Sequence, residues 1–168
     1  EIRGLAQGIL PLTQRRKVWL VINDHYQLAA ELGAPLCHLG QEDFFATGLK
    51  HLSELPISEP GLKFGLSTHS PAQAEQAIAA GADYIAVGPV FPPPTKPLAG
   101  PVTLEYVRWA AANVPIPWFA IGGITLNNCR EVIQAGAKRI CAVSRILNAP
   151  EISKSCQQFK ELLTSASD

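Results

Sequence analysis

Two carboxylates, Asp24 and Asp43, each follow closely after a short apolar run of the chain. If these runs are parallel strands of one sheet, both carboxylates lie at the same edge, where the carboxyl ends of the strands meet. Two hard oxygen donors suit Mg²⁺, which completes its octahedron with waters and substrate phosphate oxygens. Each carboxylate taken singly fits a simpler role as the cap of the next helix. The sequence therefore predicts a magnesium site at Asp24 and Asp43, with capping as the alternative.

A glycine pair, Gly122-Gly123, follows another apolar run and precedes a helix that is predicted to begin near Thr125. Backbone amides at the amino end of a helix bind phosphate well, and barrels commonly place a phosphate site in the loops after their last two strands. Val143-Ser144 supplies the neighbouring loop. The alternative is a tight turn that needs glycine only for its positive φ.

The longest irregular segment, from Phe91 to Pro101, carries a hydroxyl and an ammonium group at Thr95 and Lys96. Its prolines restrict the backbone, so the two groups can be held for a phosphate or diphosphate at a low entropic cost. A rigid surface loop with a solvated lysine is the alternative. The length of the loop itself indicates a function.

Ser67-Thr68-His69 also follows an apolar run. Ser67 is a candidate donor to a phosphate oxygen, and His69 is a candidate general acid or base or simply part of the turn. The other histidines have no sequence neighbours that suggest a metal or catalytic site, and we expect core, turn or surface positions for them. They are His25, His38 and His51.

These groups must be positioned by a repeated strand and helix. Apolar runs without strict alternation are typical of strands covered on both faces of a parallel sheet. Pro71 to Ala80 reads as an intervening helix, with Ser70 as its cap and Gly81 at its end. The predicted strands are Val18 to Ile22, Leu36 to Leu39, Leu62 to Leu66, Tyr84 to Val87, Trp118 to Ile121 and Arg139 to Val143.

Polar or glycine residues follow all six predicted strands, and this favours a closed barrel, which gathers all its carboxyl-end loops around one mouth. We therefore predict an α/β fold of the TIM (β/α)8 type in a single domain spanning residues 1–168. The usual barrel has eight strands, so either about two βα units are missing at the amino end or another chain covers the gap, and we expect the first. Open edges would favour a homo-oligomer or poor solubility, which light scattering tests.

Composition narrows the classes of partner. The 168 residues are 47% hydrophobic, and 14 Lys and Arg balance 14 Asp and Glu. No overall field attracts nucleic acid or an anionic membrane. The apolar runs fall short of the roughly 20 residues of a spanning helix. The four cysteines lack metal-site spacing, which favours reduced thiols in a cytoplasmic protein.

Six segments together resemble the thiamine-phosphate synthase family, in the right order over nearly the whole chain. The resemblance implies a transferase of thiamine biosynthesis that joins an aminopyrimidine methyl diphosphate to a thiazole phosphate and releases diphosphate with Mg²⁺. In the family's mechanism the pyrimidine methylene departs as a stabilised cation before the thiazole nitrogen attacks. The segments are Asn23-Asp24, His38 to Asp43, Gly65 to His69, Gly88 to Lys96, Ile121 to Thr125 and Ala142 to Ser144.

The same resemblance assigns roles to individual residues. It implies that Asp24 and Asp43 are metal ligands. It also implies that Asn23, Ser67 and Lys96 bind the diphosphate. Ser67 and Lys96 are then the catalytic groups. The residues implied for the thiazole phosphate are Thr95, Gly122, Gly123, Val143 and Ser144.

The chain departs from the family pattern in two places. Pro93 stands where the family usually has threonine, so one hydroxyl contact to the thiazole phosphate is lost. The family's Gln-Leu-Arg-x-Lys motif has no counterpart before Val18. We therefore expect weaker binding of the thiazole substrate and impaired turnover.

Two other functions remain open from the sequence. A thiazole tautomerase of the same barrel type would use His69 to move protons, although the Thr95-Lys96 pair favours the synthase. A noncatalytic phosphate-binding barrel domain would keep only the Gly122-Gly123 site. Dependence on magnesium separates the synthase from both.

Overall fold

The computed structural model describes residues 1–57, 61–92 and 103–165. Short parallel strands alternate with helices along this part of the chain, as the sequence predicts. The strands are β1 (Val21–Asn23), β2 (Leu36–Leu39), β3 (Lys63–Thr68), β4 (Tyr84–Val87), β5 (Trp118–Ile121) and β6 (Ile140–Cys141). The helices are α1 (Ile2–Arg15), α2 (Tyr26–Glu31), α3 (Gln41–Ala46), α4 (Pro71–Ala79), α5 (Thr103–Asn113), α6 (Cys129–Gln134), α7 (Ser144–Leu147) and α8 (Ile152–Thr164), with a short 3-10 helix at Leu52–Glu54.

The sheet follows the order of the chain, β1-β2-β3-β4-β5-β6. In β1 and β2, Val21 pairs with Leu36, and the next pairing joins Leu36 to Lys63 in β3. Further along, Ile85 pairs with Trp118 and Ala120 with Ile140, again in parallel. Six parallel strands joined by helical connections give the α/β class of the TIM-barrel type that the sequence predicts.

The chain divides into two compact units. Unit 1 comprises Glu1–Ser67 and Glu75–Tyr84, and unit 2 comprises Thr68–Ala74 and Ile85–Asp168. In unit 1 the strands bury Ile22, Cys37 and Leu66, and α2 packs alanines against β1 and β2. Small residues on α2 let the helix approach the sheet closely.

In unit 2 the core is formed by Ile85 and Val87 of β4 with Val107 of α5, all fully buried. The Thr68 hydroxyl, also fully buried, donates to the Ala86 carbonyl at 2.8 Å and lies 2.7 Å from the Tyr106 hydroxyl. These two hydrogen bonds satisfy polar groups that would otherwise be costly to bury.

The sequence predicts three strands at their observed bounds and three with shifted bounds. The first strand begins at Val21 rather than Val18, the third ends at Thr68 rather than Leu66, and the sixth covers only Ile140–Cys141. The strands Leu36–Leu39, Tyr84–Val87 and Trp118–Ile121 are confirmed at both ends, and a Ser70 hydroxyl accepts from the Gln73 amide at the start of α4. The helix predicted to begin near Thr125 instead begins at Cys129. The intervening residues form a turn held by side-chain hydrogen bonds.

Apolar side chains are exposed on α1, on β1 and in the segment between them. Trp19 is 64% exposed and Leu5 60%, and Val21, on the first strand in the sheet order, is 41% exposed. The prediction of self-association was made from open strand edges, and it stays a prediction. Within the described residues, none of the helices combines the length and the apolar character that crossing a membrane requires.

Candidate active site

In unit 1, the strand register determines which predicted site residues become neighbours. Asn23 of β1 pairs with His38 of β2, and His38 pairs with Gly65 of β3. Ser67 lies two residues beyond Gly65 and therefore on the same side of β3. The carboxyl ends of these strands thus carry Asn23, His38 and Ser67 in one region of the unit.

Asp24 lies in the turn that leaves β1. Its φ is +62°, a left-handed conformation that Asp adopts more readily than most residues, and its amide donates to the His38 carbonyl at 2.8 Å. The Asn23 side-chain amide donates to Asp24 Oδ2 at 2.6 Å, so the two predicted site residues are in contact. His25, without a side-chain capping bond, is the N-cap of α2. The capping alternative for Asp24 is therefore wrong.

Asp43 lies in the first turn of α3, whose N-cap is Gly40. A side chain on Gly40 would place its Cβ 2.6 Å from Asp43 Oδ2, so the carboxylate folds back over the start of the helix. A negative charge in this position is favoured by the helix dipole. Both carboxylates are exposed to solvent.

His38 occupies the centre of this region, although its sequence neighbours did not indicate a site. Its Nδ1 lies 3.0 Å from the Tyr84 hydroxyl and its Nε2 lies 2.9 Å from Ser67 Oγ. Burial lowers the pKa of His38, while the nearby Asp24 carboxylate raises it by a smaller amount. The expectation of a core, turn or surface role for His38 missed its contact with the predicted diphosphate donor.

A glycine makes this arrangement possible. A Cβ on Gly65 would lie 2.0 Å from the Tyr84 ring, so only a glycine in β3 lets that ring reach His38. The register that joins His38 to Gly65 is a property of the folded sheet. No local pattern in the sequence reveals it.

Asp24 and Asp43 stay the predicted magnesium ligands, and each supplies carboxylate oxygens, the donor type that a hydrated magnesium ion prefers. No group of three or more His, Cys, Asp or Glu side chains is placed to hold a metal within 1–57, 61–92 and 103–165. Mg²⁺ is usually bound by one or two carboxylates together with waters and substrate phosphates. Asp24, directly after β1, and Asp43, in the first turn of α3, are exposed carboxylates of the kind that this binding uses.

In unit 2, four of the residues predicted to hold a phosphate line one cavity of about 180 Å³. They are Gly122, Gly123, Val143 and Ser144. Arg145, which no sequence motif indicates, also lines the cavity and adds a positive charge. Its only signal in the sequence is its position directly after Ser144.

The two glycines are required by close packing as well as by backbone conformation. Gly122 has a φ of +97° and Gly123 a φ of +64°. A Cβ on Gly122 would lie 2.5 Å from Pro89, and one on Gly123 would lie 2.7 Å from Phe91 Cβ. The tight turn that requires glycine and the predicted phosphate site are thus compatible, because the residues with positive φ also line the cavity.

The Asn128 side chain stabilises the turn between Gly123 and Thr125 with two hydrogen bonds. Its Oδ1 accepts from the Thr125 amide at 2.7 Å, and its Nδ2 donates to the Gly123 carbonyl at 3.0 Å. These bonds replace the first helical turn that the sequence predicts, which explains why α6 begins later. They also fix the glycine segment against the cavity.

His69 lies in unit 2, in the loop after β3. Its Nδ1 contacts the Gly88 carbonyl, and its backbone amide donates to Gln73 Oε1 at 2.6 Å. Because a carbonyl can only accept, Nδ1 carries the proton, and the neutral ring has its acceptor at Nε2. His69 is therefore oriented by its backbone partner.

Three residues of interest lie outside the part of the chain that the structure describes. They are Pro93, Thr95 and Lys96. Their roles on the diphosphate and the thiazole phosphate stay predictions.

The comparisons with known proteins agree with one another. The sequence profile described as thiamine monophosphate synthase matches residues 1–146. Thiamine-phosphate synthase of Lawsonia intracellularis is 42% identical over 159 residues, covering 94% of this chain and 71% of the relative. That of Thermus thermophilus is 42% identical over 161 residues, covering 95% and 75%.

A solved structure extends the likeness to three dimensions. Thiamine phosphate pyrophosphorylase from Pyrococcus furiosus superposes with a TM-score of 0.81 at 25% identity, covering 98% of this chain and 77% of that one. The relatives are transferases of thiamine biosynthesis. The chain therefore belongs to the thiamine monophosphate synthase family.

Proposed function

We propose that this chain is a thiamine-phosphate synthase that couples 4-amino-2-methyl-5-hydroxymethylpyrimidine diphosphate to thiazole phosphate and releases diphosphate. The observation that carries the proposal is the cavity bounded by Gly122, Gly123 and Ser144, beside Arg145. Backbone at positive φ, a hydroxyl and a guanidinium form a surface suited to a phosphate group. In this proposal the cavity holds the phosphate of the thiazole substrate.

The groups proposed for the diphosphate are Ser67, Asn23 and Lys96. Ser67 and Asn23 supply hydroxyl and amide donors, and Lys96 supplies a positive charge. Donors aimed at the departing group stabilise the charge that it gains in the transition state. Lys96 and Ser67 are thus the proposed catalytic groups.

Asp24 and Asp43 are the proposed ligands of magnesium. When bound, Mg²⁺ neutralises part of the negative charge on the diphosphate and so makes it a better leaving group. The hydrogen bond from Asn23 orients the Asp24 carboxylate, and the first turn of α3 orients that of Asp43.

The chemical step needs no protein nucleophile. The bond between the pyrimidine methylene carbon and the diphosphate oxygen breaks, and the diphosphate leaves with the electron pair. The thiazole nitrogen then donates its lone pair to the methylene carbon. The chain's own residues hold the two substrates and stabilise charge, so alignment and electrostatics supply the acceleration.

A second candidate is a thiazole tautomerase, and the orientation of His69 favours it. Donation from Nδ1 to the Gly88 carbonyl leaves Nε2 as a proton acceptor. The two activities differ in their needs, because a tautomerase requires neither magnesium nor a pyrimidine diphosphate.

The deciding experiment is calorimetric titration of the 168-residue chain with inorganic pyrophosphate and with a pyrimidine diphosphate, each with and without Mg²⁺. We expect binding that depends on magnesium. Asp43→Asn should weaken it by at least tenfold, which corresponds to about 1.4 kcal/mol, because one metal ligand loses its charge.

The matched control is Glu42→Gln, which removes a carboxylate from the neighbouring exposed position in the first turn of α3. This variant should bind pyrophosphate as the parent chain does. If both variants lose the same pyrophosphate affinity, Asp43 contributes only to the local negative charge and is not a metal ligand. Binding of the thiazole phosphate alone, with no magnesium-dependent binding of either diphosphate, would favour the tautomerase.

A further inference from the structure

We propose that Tyr84 and His38 form a relay of hydrogen bonds that turns the Ser67 hydroxyl so that its proton is presented to an oxygen of the bound diphosphate. The inference rests on the proposed function, because it assigns Ser67 to the diphosphate. It adds two positioning residues, His38 and Tyr84, which act through Ser67 and need not touch the substrate themselves.

The geometry places the imidazole between two hydroxyl groups. Tyr84 Oη lies 3.0 Å from Nδ1, and Ser67 Oγ lies 2.9 Å from Nε2, both within normal hydrogen-bond range. The two ring nitrogens are on opposite sides of the imidazole. His38 on β2 therefore contacts Tyr84 on β4 with one nitrogen and Ser67 on β3 with the other. The Tyr84 ring lies 5.5 Å from the imidazole, centroid to centroid, at a tilt of 32°.

The direction of the protons follows from the chemistry of the two hydroxyl groups. In a neutral imidazole one nitrogen donates and the other accepts. A phenol is a stronger acid than an alcohol, so it is the better donor, and the alcohol oxygen is the better acceptor. Tyr84 therefore donates to Nδ1, and Nε2–H of His38 donates to Ser67 Oγ.

This direction determines what Ser67 can offer to a ligand. A serine oxygen that accepts from Nε2 still has its own proton to donate. The opposite direction would direct that proton to His38 and would leave only lone pairs for the diphosphate, which would repel its negative oxygens. The relay thus converts a freely rotating hydroxyl into a directed donor before the substrate arrives.

The sheet is built to permit the relay. Gly65 of β3 lies opposite His38 in the register, and a Cβ there would lie 2.0 Å from Tyr84. The Asp24 amide donates to the His38 carbonyl at 2.8 Å, which fixes the backbone that carries the imidazole. His38 is half-buried, so its ring is held by packing as well as by hydrogen bonds.

The first readout is the protonation of the two ring nitrogens of His38, measured by ¹⁵N NMR on the full chain without ligand. We expect the proton on Nε2 in the parent chain and a smaller preference in Tyr84→Phe. A proton found on Nδ1 in the parent chain would overturn the relay. This readout does not require substrate binding, so it decides the relay even if the proposed function fails.

The second readout is a double-mutant cycle on pyrophosphate affinity in the presence of Mg²⁺. Tyr84→Phe and Ser67→Ala should each weaken binding, Ser67→Ala by about tenfold to a hundredfold, the usual scale for a hydrogen bond to a charged group. Tyr84→Phe should have no further effect in the Ser67→Ala background, because it acts through that hydroxyl. Independent, multiplicative losses would contradict the relay.

Two substitutions of the histidine sharpen the test. The amide nitrogen of His38→Gln reaches approximately the position of Nε2, whereas that of His38→Asn reaches approximately that of Nδ1. His38→Gln should therefore keep more of the pyrophosphate affinity than His38→Asn; the reverse order would contradict the direction of donation. Absence of pyrophosphate binding by the parent chain would instead reject the proposed function, and the ring protonation would decide the relay.

Discussion

The two candidate binding regions are built in different ways. The unit 2 cavity includes a backbone segment at positive φ, where the missing side chains of Gly122 and Gly123 make room for Pro89 and Phe91. The unit 1 region is formed by side chains, with His38 between two hydroxyl groups. A backbone site is specified by short stretches of sequence, whereas a side-chain site depends on the strand register. The two should therefore fail differently when they are mutated.

The largest effect is expected for Gly122→Ala. The new Cβ would lie 2.5 Å from Pro89, and the residue would keep a φ of +97°. We expect the free energy of unfolding to fall by about 2–4 kcal/mol, from backbone strain together with overpacking. Binding of thiazole phosphate should be lost, as calorimetry would measure, while magnesium-dependent pyrophosphate binding is retained.

Gly8→Ala is the matched control, because nothing lies within 4 Å of a Cβ at this position in α1. It should be neutral or stabilise the chain by up to about 1 kcal/mol, since alanine favours helix more than glycine does. Equal stability losses in the two variants would show that the glycines of the cavity have no special packing role.

A smaller loss of stability is expected for Gly65→Ala in unit 1. Its Cβ would lie 2.0 Å from the Tyr84 ring, which must move, and overpacking of this kind costs about 1–3 kcal/mol. Pyrophosphate affinity should fall as well, because Tyr84 moves away from His38. Adding Tyr84→Leu should restore stability in urea unfolding but not the affinity. Recovery of both would show that the Tyr84 hydroxyl plays no part in binding.

The smallest effect is expected for Tyr106→Phe, which removes a tyrosine hydroxyl from unit 2. The lost hydrogen bond to Thr68 should cost about 1 kcal/mol and leave pyrophosphate affinity unchanged, in contrast to Tyr84→Phe. If Tyr106→Phe loses as much pyrophosphate affinity as Tyr84→Phe, both losses come from general destabilisation and the Tyr84 hydroxyl has no specific role in binding.

The same variant has a pH signature. Burial raises the pKa of Tyr106 from 10.0 to about 12, with the Thr68 hydrogen bond opposing the shift. The folded state therefore keeps the proton longer than the unfolded state, and stability falls as pH rises above about 10. Urea unfolding at about pH 8 and about pH 11 should show a smaller fall in Tyr106→Phe than in the parent chain. If the free energy of unfolding falls equally in both chains, groups other than Tyr106 cause the fall.

The sequence was most informative where structure is local. Apolar runs indicated the strands, and Leu36–Leu39 is confirmed at both ends because a strand covered on both faces leaves a continuous hydrophobic signal. Gly122-Gly123 and Val143-Ser144 could be grouped from their positions after two consecutive strands. The start of α6 was wrong because Asn128 side-chain bonds compete with the first helical turn, which helix periodicity does not reveal.

The sequence was least informative about His38. Its partners, Ser67 and Tyr84, are separated from it by 29 and 46 residues. Their meeting depends on the pairing of His38 with Gly65 and on the absence of a side chain there. Neither condition can be recognised before the register is known.

The order of the strands also bears on how the chain folds. Because the sheet follows the sequence from β1 to β6, each strand pairs with the strand that precedes or follows it along the chain. Pairing each new strand then closes one loop that contains a helical connection. No pairing joins strands that are far apart in the order of the chain. The entropic cost of assembly is thus divided into similar steps, so that the sheet can grow one strand at a time.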